Sequence, residues 1–297
     1  MRVAAVQLTS GADKAHNLDV AAVLIAEAVT DGAELVVLPE LMNCLGPGRV
    51  QRAGAEPFDG PTTRWAQRVA RRHGIWLHAG SFIEERADAS RSNTSVVISP
   101  EGVVAGSYRK VHLFDCDVPD AVFRESEITD PGDELTTVPL GTGVPDTDTD
   151  TVTDCIGPLA AHDLPAPVLG LSICYDLRFP ELYRILALRG ATILVVPAAF
   201  TARTGPPHWE VLLRARAIEN QCFVIAAGQA GVTPPDLAWH GHSMIIDPWG
   251  TVLVEATTNG PEVVVADLSM HQMEETRALL PSLASRRPTA YRWPPTG

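Results

Sequence analysis

The feature that most restricts this chain is the recurrence of short, mostly apolar runs, each stopped by Pro, Gly or a chargeable residue. Such runs occupy 3–8, 34–39, 75–82, 92–98, 168–173, 192–196, 222–227 and 263–268. They are too short for buried helices and of the right length for strands. Several are apolar on both faces, as strands covered on both sides must be. Between them, 17–29, 62–73, 180–189 and 208–220 place apolar residues at helical spacing, as with Leu18, Ala21, Ala22 and Ile25. Pro61 and Gly74 bracket the second of these with the usual helix start and stop. A shorter helix is expected over 274–280. Turns such as Pro100-Glu101-Gly102 and Pro248-Trp249-Gly250 join runs as hairpins. The pattern predicts mixed sheets covered by helices in a layered α/β fold, not a strict βαβ ladder.

Composition narrows the function classes. With 36 acidic against 23 basic residues, the net charge is -13, so the average field repels nucleic acid and anionic membranes. No apolar stretch approaches the roughly 18 residues needed to span a bilayer. The first residues lack the pattern of a secretory signal, and the expectation is a cytoplasmic protein. Five scattered cysteines without a CxxC pair suggest neither a disulfide framework nor a zinc site. His240-x-His242 lacks partners at zinc spacing. The run beginning at Asp146 has the start of a calcium loop but Thr151 and Gly157 where Gly and Glu are needed. The reading is therefore no metal and no cofactor. Residues 141–167, rich in Gly, Pro and Asp, are expected to form an exposed insertion.

Three strand ends carry candidate chemistry. Leu38-Pro39-Glu40 delivers a carboxylate to the end of a buried strand, a setting that suits a general base. Lys110, in Tyr108-Arg109-Lys110-Val111-His112, is one of two lysines in a chain whose other basic residues are all Arg. A lysine retained against that bias points to an ammonium that stabilises an oxyanion or moves a proton. Ile173-Cys174-Tyr175-Asp176 ends an apolar strand in a thiol followed by a turn, an arrangement that presents sulfur and backbone N–H groups together. A Cys–His pairing remains open from the residues alone, because the chain has nine histidines.

Glu40, Lys110 and Cys174, in that order and in those three motifs, resemble the nitrilase superfamily of carbon–nitrogen hydrolases, and the likeness extends over nearly the whole chain. The stretch 204–222, the stretch 241–250 and the ending Arg286-Arg287-Pro288 are similar to its Nit branch of amidases. The resemblance implies a four-layer αββα sandwich, one domain over 1–297, that dimerises into an αββα-αββα assembly. Residues 268–297 would form a tail at the dimer interface. It implies Glu40 as general base, Cys174 as nucleophile, Lys110 as proton donor and oxyanion partner, and Glu125, within Glu125-Ser126 and ahead of Pro131-Gly132, as a supporting carboxylate. The backbone of Tyr175, with Arg178, Phe200 and Thr201, is expected to contact substrate. The implied activity is hydrolysis of a small 2-oxo-acid amide, of the deaminated-glutathione kind, through a thioester. The alternatives are an ω-amidase, a carbamoyl or aliphatic amide hydrolase, or a silent dimeric scaffold. Two segments depart from the family pattern, 141–167 and 117–128, and both are expected to border the pocket.

Overall fold

The computed structural model describes residues 1–118, 121–141, 166–233, 236–257 and 259–292. In chain order the strands are β1 (Arg2–Gln7), β2 (Leu35–Val37), β3 (Trp76–His78), β4 (Phe82–Glu85), β5 (Arg91–Ile98), β6 (Val104–Arg109), β7 (Asp115–Val118), β8 (Ala121–Arg124) and β9 (Thr137–Pro139). They continue as β10 (Val168–Leu171), β11 (Ile193–Ala198), β12 (Phe223–Gly228), β13 (Ala230–Thr233), β14 (Leu237–His240), β15 (Met244–Ile246), β16 (Val252–Glu255) and β17 (Glu262–Asp267). The helices are α1 (Lys14–Thr30), α2 (Gly48–Ala53), α3 (Pro61–His73), α4 (Pro180–Leu188), α5 (Gly205–Asn220) and α6 (Met270–Leu279).

Two mixed sheets form the centre. One runs β17-β1-β2-β3-β5-β4, with β6 paired to β5; the other runs β16-β15-β12-β11-β10-β9. In each, three neighbouring strands are parallel: β1, β2 and β3 in the first, β10, β11 and β12 in the second. Alternation along β1 sets the layers. Ala4 and Val6 pack with Ala21, Ile25 and Ala28 of α1 and Ala66 and Ala70 of α3. Val3 and Ala5 face the other way, into a core shared with Leu169, Leu171, Val195 and Ile225 of the second sheet. Leu182 and Leu186 of α4 and Trp209 and Leu213 of α5 cover that sheet's far side. The result is the expected helix–sheet–sheet–helix order.

Most sequence-based elements appear within a few residues of their expected bounds. Two differ for identifiable reasons. The run 75–82 is broken into β3 and β4 at Gly80, whose φ is +56° and whose position a Cβ could not share, since it would lie 2.0 Å from the Pro39 carbonyl oxygen. The strand ending before Pro197 instead runs through it to Ala198, and the parallel partner of Pro197 is Ala227. The hairpin β7–β8 and the short α2 were not foreseen, because neither has an apolar periodicity. Residues 142–165, which include most of the expected insertion, Cys155 and the whole of the Asp-rich run, lie outside the described residues. Among the described residues no helix is long and apolar enough to cross a membrane.

Candidate active site

The carboxyl ends of parallel strands are where open α/β sheets collect ligands, and here they gather the predicted residues. Glu40 lies three residues beyond β2 and Cys174 three beyond β10, while Ala199 directly follows β11. Lys110 follows β6 and Glu125 follows β8. The sheets face each other, so residues far apart in sequence meet.

Lys110 is 2% exposed and Glu40 4%. The Lys110 Nζ donates to Glu40 Oε1 at 2.9 Å and to Glu125 Oε2 at 2.7 Å. Asn93, a buried polar residue of β5, donates its amide to the same two carboxylates, at 2.8 Å to Glu40 and 3.0 Å to Glu125. The Ala199 backbone N–H fixes Glu40 Oε2 at 2.8 Å, and the Phe114 N–H fixes Glu125 Oε2 at 2.7 Å. Burial by itself pulls the ammonium toward neutrality, but Glu125 and Glu40 overcome this and hold the Lys110 pKa well above its ordinary value. Lys110 is therefore a fixed cation between two carboxylates.

Cys174, 6% exposed, completes the group. Burial, then the neighbouring Glu40 carboxylate, raises its thiol pKa well above the ordinary value, against the opposing pull of Lys110. At neutral pH the resting site thus holds a protonated sulfur beside a built-in proton acceptor.

A single 3₁₀ turn, Cys174–Arg178, aims the sulfur, and Cys174 itself has φ +46°, in the left-handed region. Two buried residues hold this turn. Asp176, with no exposed surface, accepts from the Tyr108 hydroxyl at 2.7 Å and the Ile173 N–H at 2.8 Å through one oxygen. Its other oxygen accepts from the His112 N–H at 3.1 Å and lies 2.7 Å from His112 Nδ1. Arg216 of α5 donates twice to the Leu177 carbonyl, at 3.1 and 2.8 Å. The motif flanking Lys110 therefore also positions Cys174: Tyr108 and His112 clasp Asp176 while Lys110 reaches Glu40. Gly132 of the Pro-Gly pair packs against the same segment, where a Cβ would come within 2.3 Å of the Arg109 carbonyl oxygen.

Cys174 stands where two spaces meet. A narrow cleft is lined by Tyr175, Arg178, Phe200, Thr201 and Thr204, so all four residues expected to contact substrate come together. The Arg178 guanidinium lies 5.3 Å from the Phe200 ring centre and 5.8 Å from that of Tyr175, and approaches His208 Nδ1 at 3.3 Å. It does not serve Asp176, whose partners are Tyr108, Ile173 and His112. The Thr201 hydroxyl is engaged with that of Thr204 at 2.8 Å. Trp209 of α5 is fully buried behind Phe200 and donates to the His242 carbonyl. The second space, of about 640 Å³, is bounded by Glu40, Lys110 and Glu125 on the inside and by α2 and β8 outside.

Sequence reasoning missed Asn93, Asp176 and Arg216. The signal for Asn93 was present: Ser92-Asn93-Thr94-Ser95 is a run of polar residues within a strand that is buried from Ser92 onward. Buried polar side chains require partners, which marks the run as a site wall.

The carbon-nitrogen hydrolase pattern matches residues 2–278, and the chain belongs to that family. Among curated relatives, it is 41% identical to deaminated glutathione amidase of Rattus norvegicus, over 97% of this chain and 83% of that one. It is 36% identical to omega-amidase NIT2 of Homo sapiens, over 98% and 96%. Among solved structures, it resembles Saccharomyces cerevisiae Nit3, described as a member of branch 10 of the nitrilase superfamily. That match has 31% identity and a TM-score of 0.79, covering 95% of this chain and 94% of that one.

Proposed function

We propose that this chain is a thiol-dependent amidase that hydrolyses the amide of a small 2-oxo dicarboxylic acid, with deaminated glutathione as the representative substrate. The observation that carries the reading is the Glu40–Lys110–Glu125 network against the Cys174 thiol. Glu40 takes the thiol proton as sulfur bonds to the amide carbon. The carbonyl oxygen becomes an oxyanion held by the Lys110 ammonium and the Tyr175 N–H, each such donor contributing about 3 kcal/mol. Protonated Glu40 then gives its proton to the departing nitrogen, the C–N bond breaks, and a thioester remains on Cys174. Water, deprotonated by Glu40, attacks that thioester; the C–S bond breaks and the sulfur recovers its proton. Because Lys110 is held so firmly as a cation, we assign the proton transfers to Glu40 and the charge stabilisation to Lys110. Glu125 balances the second face of the ammonium and fixes its position.

Arg178 would bind the carboxylate of the 2-oxo acid from the narrow cleft, with Phe200 and Thr201 as its walls. We further propose that residues 1–297 form one domain and that the chain works as a homodimer in the cytoplasm. Apolar side chains exposed on α4 and α5, among them Ile185, Val211 and Ile218, support the dimer, whose interface would include the tail from 268 onward.

A direct assay compares release of 2-oxoglutarate from deaminated glutathione and from 2-oxoglutaramate. Turnover of the first is expected to exceed that of the second and to vanish in Cys174→Ala. Equal or better turnover of 2-oxoglutaramate would replace this assignment by an ω-amidase. No turnover of either compound would refute the reading.

A further inference from the structure

Two carboxylates face one ammonium at the centre of this site, so its charges do not cancel. Glu40 and Glu125 both accept from Lys110 Nζ, at 2.9 and 2.7 Å. Like charges that share a site ordinarily settle by holding a proton between them. Such a proton would occupy the base that has to accept the hydrogen of Cys174. The remaining groups around the two carboxylates are neutral: the Ala199 N–H on Glu40, the Phe114 N–H on Glu125, and the Cys174 thiol. Besides Lys110, the one side chain among the described residues that reaches both carboxylates is Asn93, at 2.8 Å from Glu40 and 3.0 Å from Glu125.

Asn93 lies on β5 and is 1% exposed. Its backbone carbonyl accepts the Lys110 N–H at 2.9 Å, so one residue grips the main chain of the lysine while its amide spans that lysine's two partners. The amide has a single orientation open to it. A carboxylate only accepts, so the NH2 end must face Glu40 and Glu125, and a turned amide would set its oxygen against both. The far end of the amide shows what holds it. Asn93 Oδ1 is buried and has no hydrogen-bond partner among the described residues. Buried polar atoms normally find one. The amide is therefore placed by the two carboxylates and by nothing else.

We infer that Asn93 is a positioning residue that keeps Glu40 and Glu125 apart and both ionised, so that the proton acceptor for Cys174 is free when each turnover begins. Its two N–H bonds favour the charged form of each carboxylate without adding a charge of their own. A second ammonium there would tie Glu40 up, and a third carboxylate would add to the repulsion. Lys110 and Asn93 together fill the lone pairs of Glu40 Oε1. That leaves Oε2, held by the Ala199 N–H, to receive the thiol proton. The inference rests on the amidase reading above and deepens it.

The pH dependence of kcat/KM for release of 2-oxoglutarate from deaminated glutathione tests this, because a residue that only supports the fold lowers activity by the same factor at every pH. In Asn93→Leu, of similar size but without the amide, the acid limb of the profile is expected to move up by about one pH unit, a roughly tenfold loss on the limb and a smaller one above it. In Asn93→Asp, which keeps the shape, a third carboxylate beside Lys110 should move the limb further in the same direction. In the wild-type protein the side-chain NH2 resonances of Asn93, followed by heteronuclear NMR, should shift along the same limb as the carboxylate gains its proton. That readout does not depend on the folding of any variant. A limb that stays in place in a folded variant, or amide resonances that stay constant across it, overturns the inference and leaves the amidase intact. Absence of 2-oxoglutarate release by the wild type at every pH overturns the amidase reading and the inference with it.

Discussion

Cys174 illustrates what a functional residue costs its surroundings. Its φ of +46° places an ordinary L-residue in the left-handed region, at a cost of about 1–2 kcal/mol. The turn accepts this strain because it brings the sulfur and the following N–H groups to the same side. Replacing Cys174 by Gly should relieve it, whereas Ala retains it. Cys174→Gly is therefore expected to be more stable than Cys174→Ala by about 1 kcal/mol, although Gly elsewhere is the less stable of the two. Denaturant midpoints of the two inactive variants measure this, and a more stable Ala variant would contradict it. The resemblance singled out Glu40, Lys110, Cys174 and Glu125 because each sits in a recognisable local motif. Asn93 was marked in sequence only as part of a polar run within a strand, since its role consists of reaching two carboxylates from other parts of the chain.

At the scale of elements, the 3₁₀ turn after β10 depends on Asp176. The Ile173 N–H, the Tyr108 hydroxyl and the His112 N–H all point at one buried carboxylate. In Asp176→Asn one acceptor oxygen becomes a donor facing existing donors, so a buried polar group loses its partner. The variant is expected to lose about 3 kcal/mol of stability. Its kcat/KM should fall about a hundredfold through misplacement of the sulfur. Thermal denaturation and kinetics on one substrate check both, and wild-type kinetics in the variant would show that the turn is positioned without Asp176. From sequence, Asp176 stands out only as a member of the turn that follows the thiol. The actual pairing joins the segment after β6 to the turn after β10, a contact that no local pattern reveals. The same holds for Arg216 of α5, which the sequence alone does not single out. It does pair with Glu219 at 2.8 Å, but it is buried and holds the Leu177 carbonyl.

At the scale of the whole molecule, the two sheets must stay face to face for the site to exist, and His78 in β3 is a weak point in that core. It is fully buried, its parallel partner on β2 is Val37 and its antiparallel partner on β5 is Val97, and neither ring nitrogen has a hydrogen-bond partner. Burial lowers its pKa from 6.5 to about 4. Between those values the unfolded chain binds a proton that the folded chain refuses, so stability falls as the pH drops from about 6.5 to about 4. The full contribution is about 3 kcal/mol. In His78→Leu the denaturant midpoint should fall less over this window than in wild type; identical pH profiles would remove His78 as the cause. Apolar periodicity alone was enough to determine the layered α/β class and most elements, because burial on one face or two writes itself into consecutive residues. The motif order was enough to point to the family. Only the tertiary structure decided which side chains share a hydrogen bond and which cavity meets the sulfur. Those are properties of approach between strands distant in the chain, and each depends on the packing of one sheet against the other rather than on any residue's neighbours in sequence.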